Sequence, residues 1–258
     1  MNTNYNINNL FDFFEYWEKY TQPTEFYNEG WLLKLLVFSI TDFGLKEHEL
    51  YVDKKNKFFS EALLYSPFLA RARARTRKDP FAENHTHADG AIGDFVIGNE
   101  KSKGSLHLIG NKFNVFEAKI NSELSKDVTN APFFDQAARY IACITETLEK
   151  SNKIETLDKL SLGFYLTVPE EKYRKKNSFE KCLSEENILK TVQQRVEQYK
   201  NEDDFNKRID WFENKFTPVL KKIKIEPIFY ETIISELLGY KYIDEIKKFY
   251  DLCLAHNK

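Results

Sequence analysis

The chain has too few cysteines for a disulfide-stapled secreted domain. Cys143, Cys182 and Cys253 are odd in number, lie far apart and match no metal-ligand spacing. Cys143 falls in an apolar helical run and reads as a small buried residue, so a reducing, cytoplasmic setting is expected. A membrane segment is also missing. The apolar run 31–40 is too short to span a bilayer and contains Lys34. The first ten residues are rich in asparagine rather than basic and apolar, unlike a targeting segment. Charge excess is absent as well: 38 lysines and arginines face 40 aspartates and glutamates, a net charge of −2. That excludes a general electrostatic binder of the histone kind. It leaves room for a local basic groove beside an acidic metal site. No G-x-x-x-x-G-K-[S/T] motif occurs, so no nucleotide cofactor is expected and any motor must come from another chain.

What is present is a core-forming composition. The chain is 42% apolar and 15% aromatic, which places it among chains that fold rather than stay disordered. Its 258 residues suffice for one large domain. Periodicity predicts helices over 10–20, 29–40 and 58–77, the last kinked at Pro67. Strands are expected at 91–97, 106–109 and 114–120, with a turn at 101–104 and a hairpin at Asn111-Lys112. A helix is expected over 132–150, where Phe134, Ala137, Ala138, Ile141 and Ile144 recur at helical spacing. A strand at 162–168 ends at Pro169. A basic surface loop at 172–177 follows. Helices are expected at 185–200, 204–215, 227–238 and 242–254, with a strand-like stretch at 223–228. The simplest account is a single α/β domain over 1–258. Its motif-bearing core is 85–168, with helical additions at 10–78 and 185–255.

The chemistry concentrates in Val115-Phe116-Glu117-Ala118-Lys119-Ile120. Alternate side chains of a strand share a face, so Glu117 and Lys119 point the same way. Phe116, Ala118 and Ile120 point into packing. A carboxylate and an ammonium among residues fit for burial are costly unless paired or bound to something. E-x-K alone is a weak pattern, but its surroundings add to it. Upstream, Thr86-His87-Ala88-Asp89-Gly90-Ala91-Ile92-Gly93-Asp94 offers Asp89 and Asp94, either able to share a divalent ion with Glu117. Downstream, Gln136 and Tyr140 lie one turn apart on a helix face, with Arg139 beside them. These groups have the chemistry to hold a phosphate or orient the lysine. Ahead of both, residues 71–78 carry Arg71, Arg73, Arg75, Arg77 and Lys78. That run reads equally as a solvated face or as a phosphate-contacting patch.

An acid, then a strand with E-x-K, then a helix with Q-x-x-x-Y resembles the PD-(D/E)XK nuclease superfamily, the last element resembling its RecB-like branch. The resemblance covers residues 85–145. It implies a restriction-endonuclease-like fold, a mixed central sheet flanked by helices. It also implies a metal-dependent nuclease that hydrolyses phosphodiester bonds in DNA, by analogy a restriction or defence endonuclease. Asp89 or Asp94 would be the first acid, Glu117 the second, Lys119 the motif lysine, and Gln136 the helix residue. Mg²⁺, with Mn²⁺ as substitute, would be held by Asp89, Asp94 and Glu117, with the Ala118 carbonyl adding a ligand. A glutamate on the first core helix often joins such sites; Glu29 matches best and Glu61 second. Arg139 and Tyr140 would join residues 71–78 against nucleic acid. Ala88 stands where the superfamily name has proline, an uninformative change. The Gly90-to-Asp94 spacing approximates the RecB-like pattern, whereas Thr-His-Ala-Asp-Gly-Ala-Ile resembles the restriction-enzyme and transposase type and favours Asp89. Cutting both strands of a duplex would favour a homodimer.

Two other readings use the same residues. A nuclease-like fold that has lost catalysis would only bind nucleic acid. His85-Thr86-His87-Ala88-Asp89 also resembles the H-x-H-x-D of metallo-β-lactamase-type hydrolases. Against that stand Gly90, where that family places a histidine, and the scarcity of later histidines, only His107 and His256.

Overall fold

In a computed structural model, which describes residues 7–69, 81–83, 85–98, 105–124 and 131–257, five strands form one mixed sheet in sequence order. Helices α1 (Ile7–Trp17) and α2 (Glu29–Phe43) come first. Strands β1 (Lys57–Leu64), β2 (Thr86–Ile97) and β3 (Leu106–Ala118) follow as antiparallel neighbours. Then β4 (Ser161–Val168) and β5 (Lys224–Phe229) add parallel to β3 and to each other. Parallel neighbours need crossovers. α3 (Gln136–Lys150) makes the first. α4 (Glu170–Lys175), α5 (Asn177–Leu183), α6 (Glu185–Glu197), α7 (Phe205–Trp211) and α8 (Thr217–Lys222) make the second. α9 (Tyr230–Glu236) and α10 (Ile243–His256) close the chain. Among the described residues no helix is long and apolar enough to cross a membrane.

Helices cover both faces, so the second half of β3 is buried throughout. Phe113 and Val115 pack into the cluster that holds Ala137, Ala138 and Ile141 of α3. Phe116 and Ala118 pack into the opposite cluster, with Leu33 and Leu36 of α2. By alternation Glu117 belongs to the α3 face. On that side Arg195 of α6 is fully buried, lying over Phe68 and Phe134 and donating to the Phe81 carbonyl. Arg208 of α7 pairs with Asp204 at 2.9 Å and donates to the Pro67 carbonyl at 2.8 Å. The two arginines hold both described flanks of residues 70–80.

The expected helix over 58–77 is overturned, since Lys57–Leu64 is a strand. The cause sits at Glu61, whose φ is 54°, a left-handed value unusual for a side chain of this kind. Phe59 before it and Ala62 and Leu64 after it all pack on the α3 face. The alternation slips by one there, so the apolar residues take a spacing that mimics a helix. The N-terminal region therefore supplies a strand as well as helices. The expected hairpin at Asn111-Lys112 is absent too. Residues 106–118 are one strand, and the break in its apolar pattern coincides with a register shift between Gly93 and Phe95 on β2. The expected turn at 101–104 lies outside the described residues. The basic loop at 172–177 is helical: Glu170 and Glu171 open α4 and pair one turn later with Arg174 and Lys175. Pro227 belongs to β5 rather than to a helix, so the C-terminal region also adds a strand.

Candidate active site

Register brings three carboxylates into one row. Gly90 opposes Phe116, which sets Asp89 beside Glu117. Ser60 opposes Gly90 and Ala62 opposes Ala88, which sets Glu61 on the far side of Asp89. Like charges opposite one another weaken a sheet, so this row needs compensation. Glu117, only 2% exposed, has the most. Its Oε1 accepts from Lys119 Nζ at 2.6 Å and from Gln136 Nε2 at 2.9 Å. Its Oε2 lies 2.6 Å from the Tyr140 hydroxyl, which also lies 2.8 Å from the His87 carbonyl oxygen. A phenol has one proton, so Tyr140 donates to one of these at a time. Burial, then the Glu117 and Asp89 charges, hold that phenol well above its ordinary range, so it stays a donor.

The helix partners are positioned by local chemistry. Asp135 caps α3, accepting from the Ala138 amide at 2.9 Å, and its other oxygen accepts from Asn187 of α6 at 3.0 Å. This fixes the first turn of α3, where Gln136 sits. One turn on, Tyr140 stacks on Phe164 of β4 with ring centroids 5.4 Å apart. The strand end is held from β4: Thr167 accepts the Lys119 amide at its carbonyl, 2.9 Å, and its hydroxyl donates to the Glu117 carbonyl at 3.2 Å. Thr167 had no signal in the sequence, because its role depends on the β3–β4 register.

Asp89 accepts from the Ala118 amide at 2.7 Å. Burial first, and the Glu117 charge second, push its carboxyl up to about 8, against the pull of that amide and of Lys119. For Lys119, burial alone would lower the ammonium. Glu117, together with Asp89 and Glu29, more than reverses this and holds it above the ordinary range. The pair with Glu117 thus favours the charged form of Lys119. Glu29, at the start of α2, acts on this lysine from the other layer. Two carboxylates that repel each other across one strand spacing, with hard oxygen donors, fit a divalent cation such as Mg²⁺, which retains waters and needs few protein ligands.

Other expected site residues are placed elsewhere. Asp94 is corrected as a ligand: it lies five residues down β2 from Asp89, about 16 Å at the usual strand rise. There it sits so close to Gly110 that an added Cβ would come within 2.6 Å of its Oδ2. Arg139 and Tyr140, expected against nucleic acid, are committed inward. Arg139 pairs with the buried Glu83 at 3.3 Å, and Tyr140 is 3% exposed. Arg71, Arg73, Arg75, Arg77 and Lys78 lie outside the described residues. His85 and His87 are exposed, the latter 3.4 Å from the Glu61 carbonyl. Among the described residues no three His, Cys, Asp or Glu side chains form a group that could hold a metal ion, so neither the histidines nor the carboxylates make a complete ligand set by themselves.

Comparison with protein-family models, curated proteins and solved structures gives no match. The functional reading therefore rests on the geometry around Glu117.

Proposed function

We propose that this chain is a divalent-cation-dependent nuclease hydrolysing phosphodiester bonds in DNA. The observation that carries the reading is the convergence of Lys119, Gln136 and Tyr140 on the buried Glu117 carboxylate, with Asp89 in the adjacent register position. These residues come from β2, β3 and α3. Their order along the chain resembles the PD-(D/E)XK superfamily, and a mixed sheet flanked by helices is the architecture that resemblance implies.

Asp89 and Glu117 would hold the cation, with Glu29 behind Lys119. When bound, Mg²⁺ supplies positive charge against the phosphodiester and makes a water more acidic. Glu117 is kept in place by two α3 side chains, and the Lys119 ammonium would have to leave its Oε1 for a cation to approach. Lys119 keeps its proton on Nζ and lends a fixed positive charge to the phosphoryl oxygens as negative charge grows there. Gln136 donates to Glu117 Oε1, the oxygen that also holds the Lys119 ammonium, so the carboxylate keeps a partner when the ammonium turns toward substrate. Thr167 and the Ala118 amide fix the backbone and Asp89 beneath them. The expected products are a 5′-phosphate and a 3′-hydroxyl.

Incubating the purified protein with duplex, single-stranded and branched DNA is the direct test. Cleavage with Mg²⁺ or Mn²⁺ is expected, ending on chelation and leaving termini that DNA ligase accepts. No cleavage of any of the three with either ion would defeat the reading.

A further inference from the structure

The Lys119 ammonium stands against the carboxylates assigned to the cation. It is 2.6 Å from Glu117 Oε1, and the Asp89 charge acts on it as well. Two positive charges on one carboxylate oxygen repel each other, the more so where water is scarce. Cation binding therefore requires a second position for the ammonium. Lys119 is one residue past the end of β3, so strand alternation does not hold its side chain to the α3 face. Its four-carbon stem is flexible. On the α3 side, Gln136 Nε2 and the Tyr140 hydroxyl approach Glu117 as donors and offer the ammonium no negative charge. The third carboxylate that acts on Lys119, after Glu117 and Asp89, is Glu29.

Glu29 opens α2, and Leu33 lies one turn on along the same helix face. Leu33 covers Gly90, where an added Cβ would come within 3.0 Å of its Cδ2, and Gly90 opposes Phe116 of β3. Beyond the far end of α2, Glu49 Oε2 accepts from Asn114 of β3 at 3.4 Å. α2 therefore runs back along β3 from its C-terminal end, and its first residue stands at the end that carries Lys119. Among the described residues the half-buried Glu29 carboxylate makes no hydrogen bond or ion pair. Lys172, the other ammonium on which Glu29 acts, instead bonds the Ile120 carbonyl at 3.5 Å and Asn121 Oδ1 at 3.3 Å. A half-buried charge gains from a partner, and a lysine parted from Glu117 needs one. We propose that Glu29 is a positioning residue that takes the Lys119 ammonium as Glu117 and Asp89 take the cation. The lysine keeps its proton throughout and stays beside the site until substrate arrives. The exchange rests on the shared cation of the nuclease reading, not on the identity of the substrate.

The test is calorimetric titration of Mn²⁺ into the wild type, Glu29→Gln, Lys119→Met and the double variant, without DNA and at one pH. Glu29→Gln is expected to weaken Mn²⁺ binding by roughly 5–10-fold when Lys119 is present and by less than about 2-fold in Lys119→Met, because the two residues act through one another. An equal loss in both backgrounds would overturn the exchange, since Glu29 would then be a direct ligand of the cation. Unchanged affinity in Glu29→Gln would overturn it too. A second measurement needs no variant: in Mn²⁺-soaked wild-type crystals Lys119 Nζ should lie within hydrogen-bond distance of the Glu29 carboxylate, and an ammonium elsewhere would contradict the assignment. A wild type that binds no Mn²⁺ would defeat the exchange and the shared cation together. Coupling between Glu29 and Lys119 in a protein that cuts no DNA would defeat the nuclease reading and leave the exchange standing.

Discussion

Glu117→Gln is expected to reduce Mg²⁺-dependent DNA cleavage by roughly 10³-fold or more, the several kcal/mol that a cation contributes to such a reaction. The substitution keeps the shape of the side chain and removes its charge. One of the two carboxylates facing the cation is then gone, and Lys119 loses its partner. Lys119→Met tests the other half of the pair. Glu117 keeps its bonds to Gln136 and Tyr140, so the acid stays in position, but the fixed positive charge beside the phosphoryl group is lost. A fall of about 10²–10³-fold in kcat is expected, the scale for removing one electrostatic contact to the transition state. The double variant should be little worse than Glu117→Gln alone, because groups that act as a unit are not additive. Circular dichroism and melting temperature should show the fold retained in each. Cleavage that persists at wild-type rates in both single variants would remove Glu117 and Lys119 from the chemistry.

The second large effect is in pH. Asp89, pushed up to about 8 by burial and by Glu117, must lose its proton before it can meet a cation. Apparent Mg²⁺ or Mn²⁺ affinity is therefore expected to fall about tenfold for each pH unit below about 8, and to level off above it. The sign for stability is opposite in the two states. Without cation, the Asp89 pKa is raised above its unfolded value, so its contribution is fully present below that value and is lost as pH rises through about 8. With cation, the stabilisation it confers should grow over the same interval. Calorimetric titration and melting curves at about pH 6, 7, 8 and 9 check both trends. Asp89→Asn should weaken binding at every pH and flatten its dependence. A steep dependence surviving in Asp89→Asn would assign the titration to another group.

The sequence was most legible where one local rule was enough. The Gln136–Tyr140 helix face and the strand before Pro169 depend on helical spacing or alternation and stand as expected, while the E-x-K strand, expected over 114–120, ends at Ala118 and leaves Lys119 just beyond it. Asp89 and Glu117 lie in one cross-strand row, which their strands made possible but did not dictate. The misreadings came from tertiary choices. Glu61 takes a left-handed φ and shifts the alternation of β1, so Phe59, Ala62 and Leu64 share one face at a spacing that strict alternation does not give. By sequence Asp94 is as good an acid as Asp89, because distance along a strand carries no information about which residue the neighbouring strand will oppose. Arg139 looked free for phosphate, because a buried Glu83 one loop away cannot be inferred from spacing.

The central claim is that Asp89 and Glu117 share a divalent cation, and anomalous diffraction from crystals soaked in Mn²⁺ tests it most directly. The account predicts one strong peak contacting both carboxylates on the α3 side of β2 and β3. Saturating Mn²⁺ with no density between those two side chains, and Glu117 still paired only with Lys119, would contradict it.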